Sequence, residues 1–266
     1  MKPFRYICLA AAAFAVVTLS SCIGDNSPTA ENTPTAAPIE QSQANQNGEA
    51  ADVEYMTKMA LMKGHLLVAK ELLDKNEPKQ AEPHIGHPVE EIYSDVEKQL
   101  AQKNVKEFKT TLDNLHELVK AKPKDAKVAT DLTSAMESVD TAIAALPQEK
   151  RNQPTFVLAA IDGVLDTAKE EYEAAIANGK IVEDIEYQDS RGFVIYAQDL
   201  YEGISAQMQT AHPEANKAIS SSMSELAKAW PSVIPPSAPA KTPEQVAKLV
   251  GTIKENSQKI IKNSST

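Results

Sequence analysis

The sequence predicts an all-α protein, an antiparallel helical bundle of about eight helices, and three observations carry that reading. Apolar residues recur at helical spacing along most of the chain from Asp52 onward. Glycine is scarce, nine in 266 residues. No alternating polar and apolar run bounded by turn residues marks a strand. About 215 residues of helix fit one elongated bundle or two duplicated bundles fused.

Helices are predicted over 52–75, 88–103, 104–121, 125–146, 154–178, 184–209, 213–228 and 243–262. Pro78, Pro83, Pro123, Pro147 and Pro231 interrupt them, because proline lacks the amide donor and crowds the preceding turn. Gly179 follows the fifth helix where a left-handed terminal residue belongs. Thr242-Pro243-Glu244-Gln245 supplies an N-cap, a first-turn proline and a capping-box partner in order. Between them, residues 230–243 form a stiff proline-rich connection.

The start of the chain differs in kind. Lys2 and Arg5 precede an apolar run from Ile7 to Leu19, too short to span a bilayer as a helix. It reads as an export signal over residues 1–21. The run ends in Leu19-Ser20-Ser21-Cys22, which matches the lipobox of bacterial lipoproteins. That match implies that Cys22 is lipidated and that the partner at this end is a membrane. Each buried acyl CH2 contributes about 0.8 kcal/mol, so two or three chains hold firmly. Ile23, in place of an aspartate, points to the outer membrane over the inner, in a periplasm-facing position in the cell envelope. Residues 22–50, rich in Pro, Thr, Asn, Gln and Ala, bury too little to offset their ordering entropy and read as a flexible tether. Residues 51–266 form the folded domain.

The two cysteines, Cys8 and Cys22, both fall outside that domain, which excludes a disulfide, thiol catalysis and a thiolate metal site within it. Loss of Lys2 and Arg5 takes the net charge from −10 to −12. An acidic surface speaks against nucleic acid as a partner.

The chain echoes itself, residues 52–121 in 184–262. Gly64-His65-Leu66-Leu67-Val68-Ala69-Lys70-Glu71-Leu72 aligns with Gly192-Phe193-Val194-Ile195-Tyr196-Ala197-Gln198-Asp199-Leu200. Each copy is followed by a His-Pro pair, His87-Pro88 and His212-Pro213. A mid-helix glycine costs about 1 kcal/mol relative to alanine. Two at matching points suggest that a neighbouring helix passes closely there.

Chemistry gathers in a few places. His84-Ile85-Gly86-His87-Pro88-Val89-Glu90-Glu91 puts two imidazoles and two carboxylates at a predicted helix start, with His65 one helix away. Neutral imidazole with carboxylate suits a Zn, Fe or Cu ion. The competing reading makes His87 an N-cap before Pro88 and Glu90, and His212 the same before Pro213, although histidine is not a favoured cap. Met56, Met59, Met62 and His65 recur every third residue. Such steps fall short of a full turn by about 60° each, so no more than two neighbours can share an ion, and core packing is the ordinary reading. Met62 and Glu71 on the first helix, with Asp189 and Arg191 on its counterpart, are candidate ligand contacts across a cleft. His116 reads as a boundary residue. No Gly-rich phosphate loop, G-x-S-x-G or H-E-x-x-H is present, which argues against an enzyme.

An exported, internally echoed helical domain with an H-x-x-E sequence resembles the imelysin-like proteins, which include periplasmic iron-uptake lipoproteins. The family motif is G-x-H-x-x-E, and the chain carries Gly86-His87-Pro88-Val89-Glu90. The resemblance implies two related helical bundles with a metal- or iron-linked role, and it transfers to His87 and Glu90. The leading expectation is an envelope lipoprotein that captures a metal ion or metal-bearing ligand through His65, His84, His87, Glu90 and His212. The alternative is a structural or adaptor lipoprotein that docks a partner protein in the envelope, its histidines only capping helices.

Overall fold

The computed structural model describes residues 39–264. The segment expected to be an export signal, Cys22 and the expected tether as far as residue 38 lie outside the described residues. The fold is all-α apart from one small hairpin.

Helix α1 runs over Ile39–Asp74 and so takes in residues 39–50, which composition alone assigned to the tether. Pro38 is the last proline before it. From there the run holds Gln, Glu and Ala, which are good helix formers, and nothing interrupts it before residue 76. There Asn76 takes a left-handed φ of 60°. Glu77 N–H donates to Leu72 O and Asn76 N–H to Leu73 O, both at 2.9 Å, the Schellman arrangement that closes a helix.

The chain then reverses at once into α2 (Pro78–His87), a π-helical turn (Pro88–Tyr93) and α3 (Ser94–Gln102). Residues 78–87, expected as a loop, are therefore helical. Pro78 occupies the first helical position, where no amide donor is needed. Pro88 has no N–H for the carbonyl of His84, and its ring crowds that carbonyl, so the helix widens into the π turn instead of breaking. His87 becomes a mid-helix residue with φ −52° and ψ −41° and makes no cap bond, which overturns its reading as an N-cap.

Helices α4 (Lys109–Ala121) and α5 (Lys127–Ala144) complete a first four-helix group with α1 and the α2–α3 run. The helix expected from residue 104 starts only at Lys109, because Asn104, with φ 57°, closes α3 in the same way as Asn76 closes α1. A short α6 (Gln148–Arg151) leads to α7 (Pro154–Ala174). Gly179 does not end a helix. With Asn178 it makes a two-residue turn, φ 53° and 70°, between β1 (Ile176–Ala177) and β2 (Lys180–Ile181). Helices α8 (Asp184–Ala211), α9 (Pro213–Leu226) and α10 (Pro243–Asn263) form the second four-helix group with α7. The Thr242 capping box forms as the sequence indicates, Gln245 N–H to Thr242 Oγ1 at 3.3 Å and Thr242 N–H to Gln245 Oε1 at 2.9 Å.

Helix α1 packs on α7 and α8, and one continuous apolar core serves both groups. It runs from Tyr55, Met59 and Met62 through Leu112 and Leu132 to Leu165 and Ile253. The two echoed glycines meet at the α1–α8 crossing. A Cβ on Gly192 would lie 2.8 Å from the carbonyl carbon of Gly64, and one on Gly64 would lie 2.7 Å from the Phe193 ring. Only glycine allows the two backbones this close. No helix among the described residues is long and apolar enough to cross a membrane.

Candidate metal centre

The close crossing positions the site. His65 follows Gly64 on α1, and Asp189 sits three residues before Gly192 on α8, so both flank the contact point. Because α2 starts directly after the α1 turn and runs back along it, His84 and His87 come level with His65. Three residues apart on α2, they share one helical face.

Three imidazoles converge on one carboxylate. Asp189 Oδ1 lies 2.6 Å from His65 Nδ1 and 2.7 Å from His84 Nδ1, and Asp189 Oδ2 lies 3.1 Å from His87 Nδ1. One ligand atom from each of the four residues falls within 4.8 Å of the others. The rings pack edge to face, His65 against His87 at 5.2 Å and against Phe193 at 4.8 Å. His84 and Asp189 are almost wholly enclosed. His87 is the member with a side to solvent, its side chain 16% exposed.

The electrostatics follow from that enclosure. Burial alone would push Asp189 up, but His65 and His84 beside it hold its carboxyl well below the usual range. His87 balances burial, which lowers it, against its hydrogen bond to Asp189 and the charges of Asp189, Glu91 and Glu90, and ends up raised to about 9. Glu171 on α7 is pushed to about 8 by burial and by Asp189, Glu186 and Glu91, partly opposed by His87. Glu186 is raised mainly by burial. The His87 side of the cluster is thus rimmed with acidic side chains, of which Glu171 keeps its proton at neutral pH.

Other predicted residues go elsewhere. Glu90 is exposed and is not one of the four clustered residues. A Cβ on Gly86 would lie 3.3 Å from Glu90 Oε1 and 2.9 Å from His116 Cε1, so Glu90 shares that pocket with His116, whose Nε2 pairs with Glu82 at 2.5 Å. His212 precedes α9 at the far end of α8, some 33 Å along the axis from Asp189 by helical rise, and cannot join the group. Its likeness to His87 in sequence does not extend to a role. Met62 is fully buried in the apolar core. Glu71 and Arg191 bind each other, Arg191 Nε–H and Nη2–H donating to the two carboxylate oxygens at 3.0 and 3.1 Å. Arg191 Nη1–H also donates to Trp230 O at 2.8 Å. Two participants escaped the sequence reading, Gln188 and Glu171. Gln188, adjacent to Asp189, accepts from His84 Nε2–H at 2.8 Å. Glu171 lies in a helix whose pattern marks it only as polar.

The donor set is three imidazole nitrogens and a carboxylate oxygen, without thiolate or thioether. That combination suits Zn, Fe or Cu in the divalent state and has nothing to favour Cu(I). Four candidate ligand atoms within 4.8 Å of one another equal in number the ligands that such ions take.

Residues 147–264 match the family model of the iron permease-associated 4-helix bundle domain. That range coincides with the second four-helix group and contains Asp189, whereas His65, His84 and His87 come from the first. The finding agrees with the coarser part of the resemblance noted above, an iron-related helical bundle, and it does not single out the imelysin-like proteins. No curated protein and no solved structure matches the chain.

Proposed function

We propose that this protein is a lipid-anchored envelope protein that captures a divalent transition-metal cation, with iron the favoured cargo, and hands it on without chemical turnover. The observation that carries the reading is the convergence of His65, His84 and His87 on the buried Asp189. A carboxylate this enclosed needs positive charge beside it, and three imidazoles with their Nδ1 atoms aimed at it are also three metal ligands. The charges of Glu90 and Glu91, which reach His87, raise the local concentration of cations at the solvent side. The iron preference draws on the match to a domain described as iron permease-associated, and so does a membrane transporter as the recipient. Anchoring through acylated Cys22 belongs to the same proposal.

A docking role has its own observation. Among the described residues, Val182, Ile185 and Ile234 are the large apolar side chains left exposed. Ile185 lies one helical turn before Asp189, and Ile234 follows Val233, which is bonded to Gln188. A recipient protein seated there would lie beside the cargo, so docking and handover are compatible.

The test is titration of the purified chain with Fe2+, Zn2+ and Cu2+, read by calorimetry and elemental analysis, in the wild type and in His84→Ala with His87→Ala. One equivalent bound by the wild type and lost in the double variant is expected. A wild type that takes up none of the three metals, with melting unmoved by each, removes the reading.

A further inference from the structure

Gln188 has an amide orientation that its neighbours dictate. Its Nε2–H2 group donates to Val233 O at 3.2 Å and to Gln80 Oε1 at 2.7 Å. A backbone carbonyl only accepts, so the group facing Val233 is the amide nitrogen and the oxygen is turned to His84. His84 Nε2, 2.8 Å from that oxygen, must therefore carry the proton. With Nε2 committed, Nδ1 is the nitrogen left to His84 for a cation, and it is the one aimed at Asp189.

The segment over Gln188 is the 230–242 connection, and the residues around Asp189 hold it down. Tyr187 Oη–H donates to Ser232 O at 3.1 Å, and Trp230 Nε1–H donates to Ser190 Oγ at 2.8 Å. Arg191 binds Trp230 O, and at the far end Tyr172 Oη–H donates to Lys241 O at 2.8 Å. Four residues flanking Asp189 (187, 188, 190 and 191) thus each bond the strap.

We infer that Gln188 is the positioning residue of the cation site, fixing His84 with its proton on Nε2, and that the 230–242 strap sets Gln188 through the carbonyl of Val233. This rests on the metal-capture reading above. Metal-ligating histidines generally give their second N–H to such a partner, whose loss weakens metal binding about 10- to 100-fold.

The experiment measures Zn2+ affinity by chelator competition in the wild type, Gln188→Leu and Gln188→Glu, alongside melting temperature. It adds long-range 1H–15N NMR correlations of His84 in the metal-free wild type. Both variants lose the bonds to Val233 and Gln80 and should melt lower. Only Gln188→Leu should lose affinity, about 10- to 100-fold. Gln188→Glu still offers an oxygen to Nε2–H and should bind close to the wild type. Affinity falling in both variants in step with melting would mark a merely structural role and overturn the inference. So would NMR placing the His84 proton on Nδ1 alone, a measurement that stands even if Gln188→Leu fails to fold. A wild type that binds no Zn2+ fails the metal-capture reading itself. A wild type that binds, with both variants impaired alike, fails this inference alone.

Discussion

Two aspartates on neighbouring helices are almost equally sheltered and ionise in opposite senses. Asp189 on α8 is 4% exposed and Asp162 on α7 is 7% exposed. Asp189 meets His65, His84 and His87 and stays charged. Asp162 faces the α10 side of its bundle, and its Oδ1 has no hydrogen-bond partner among the described residues. Burial pushes its carboxyl up to about 7, against the weaker pull of Ser257, Lys254 and Gln258. Ser257 is near enough to draw Asp162 down, yet its hydroxyl makes no hydrogen bond of ordinary geometry there either. Lys254 is already paired with Asp166. Burial sets the cost in both places, and only the partners decide which form of the acid survives it.

The contrast can be broken most forcefully at Asp189. Asp189→Ala removes the acceptor shared by two buried imidazoles. Stability should fall by about 3–5 kcal/mol, as when one member of a buried pair is lost. Cation affinity should drop more than about 100-fold, since outer-shell partners alone carry 10- to 100-fold. Thermal denaturation and calorimetric titration read the two effects.

Asp162 offers the opposite change. Its folded carboxyl holds a proton up to about pH 7, whereas the unfolded one releases it near 3.8. Between those limits the folded state binds more protons. Its contribution to stability is therefore fully present below about pH 4 and lost as pH rises to about 7. The difference is on the order of 4 kcal/mol. Asp162→Asn should flatten that slope and melt above the wild type at pH 8. A pH–stability profile with the same slope in both proteins would contradict the assignment.

Gly192→Ala tests how the two regions are joined. Its new methyl group meets the backbone of Gly64 and Val68 Cγ2 at 2.7 Å, so about 1–3 kcal/mol should be lost to overpacking. Pushing α1 from α8 also separates His65 from Asp189, so cation affinity should fall along with the melting temperature. The smallest effect belongs to His212→Ala. It should shift stability by less than about 0.5 kcal/mol, as surface substitutions do, and leave cation binding unchanged. A loss of metal in that variant would give the echoed histidine a role that the fold denies it.

The residues show where the sequence was legible. Helical spacing and the Thr242 cap gave the second bundle almost as it stands, because those signals act within a few residues of one another. Three of the clustered side chains, His65, His84 and His87, could be singled out because histidine is rare here, five in the chain. Asp189 was legible as a candidate ligand contact near Gly192 but not as the partner of the histidines, and Gln188 carried no mark. Residues 78–87 look like a loop in sequence because Pro78 and Pro83 fall five residues apart, just ahead of Pro88. The π turn that accommodates Pro88 forms in a segment packed against α1, a contact no local pattern contains.

By itself the sequence determined what the backbone does locally: which segments coil, where turns close them, and which residue types are on hand for chemistry. Tertiary structure alone decided that Glu90 turns to His116 while His87 turns to Asp189, that His212 is stranded a helix-length away, and that the glycines of two echoed segments touch. The reason is one of range. Helix formation is settled by neighbours three and four places along the chain. The cluster joins residues more than a hundred positions apart, and it forms only once α1, α2 and α8 are packed against one another.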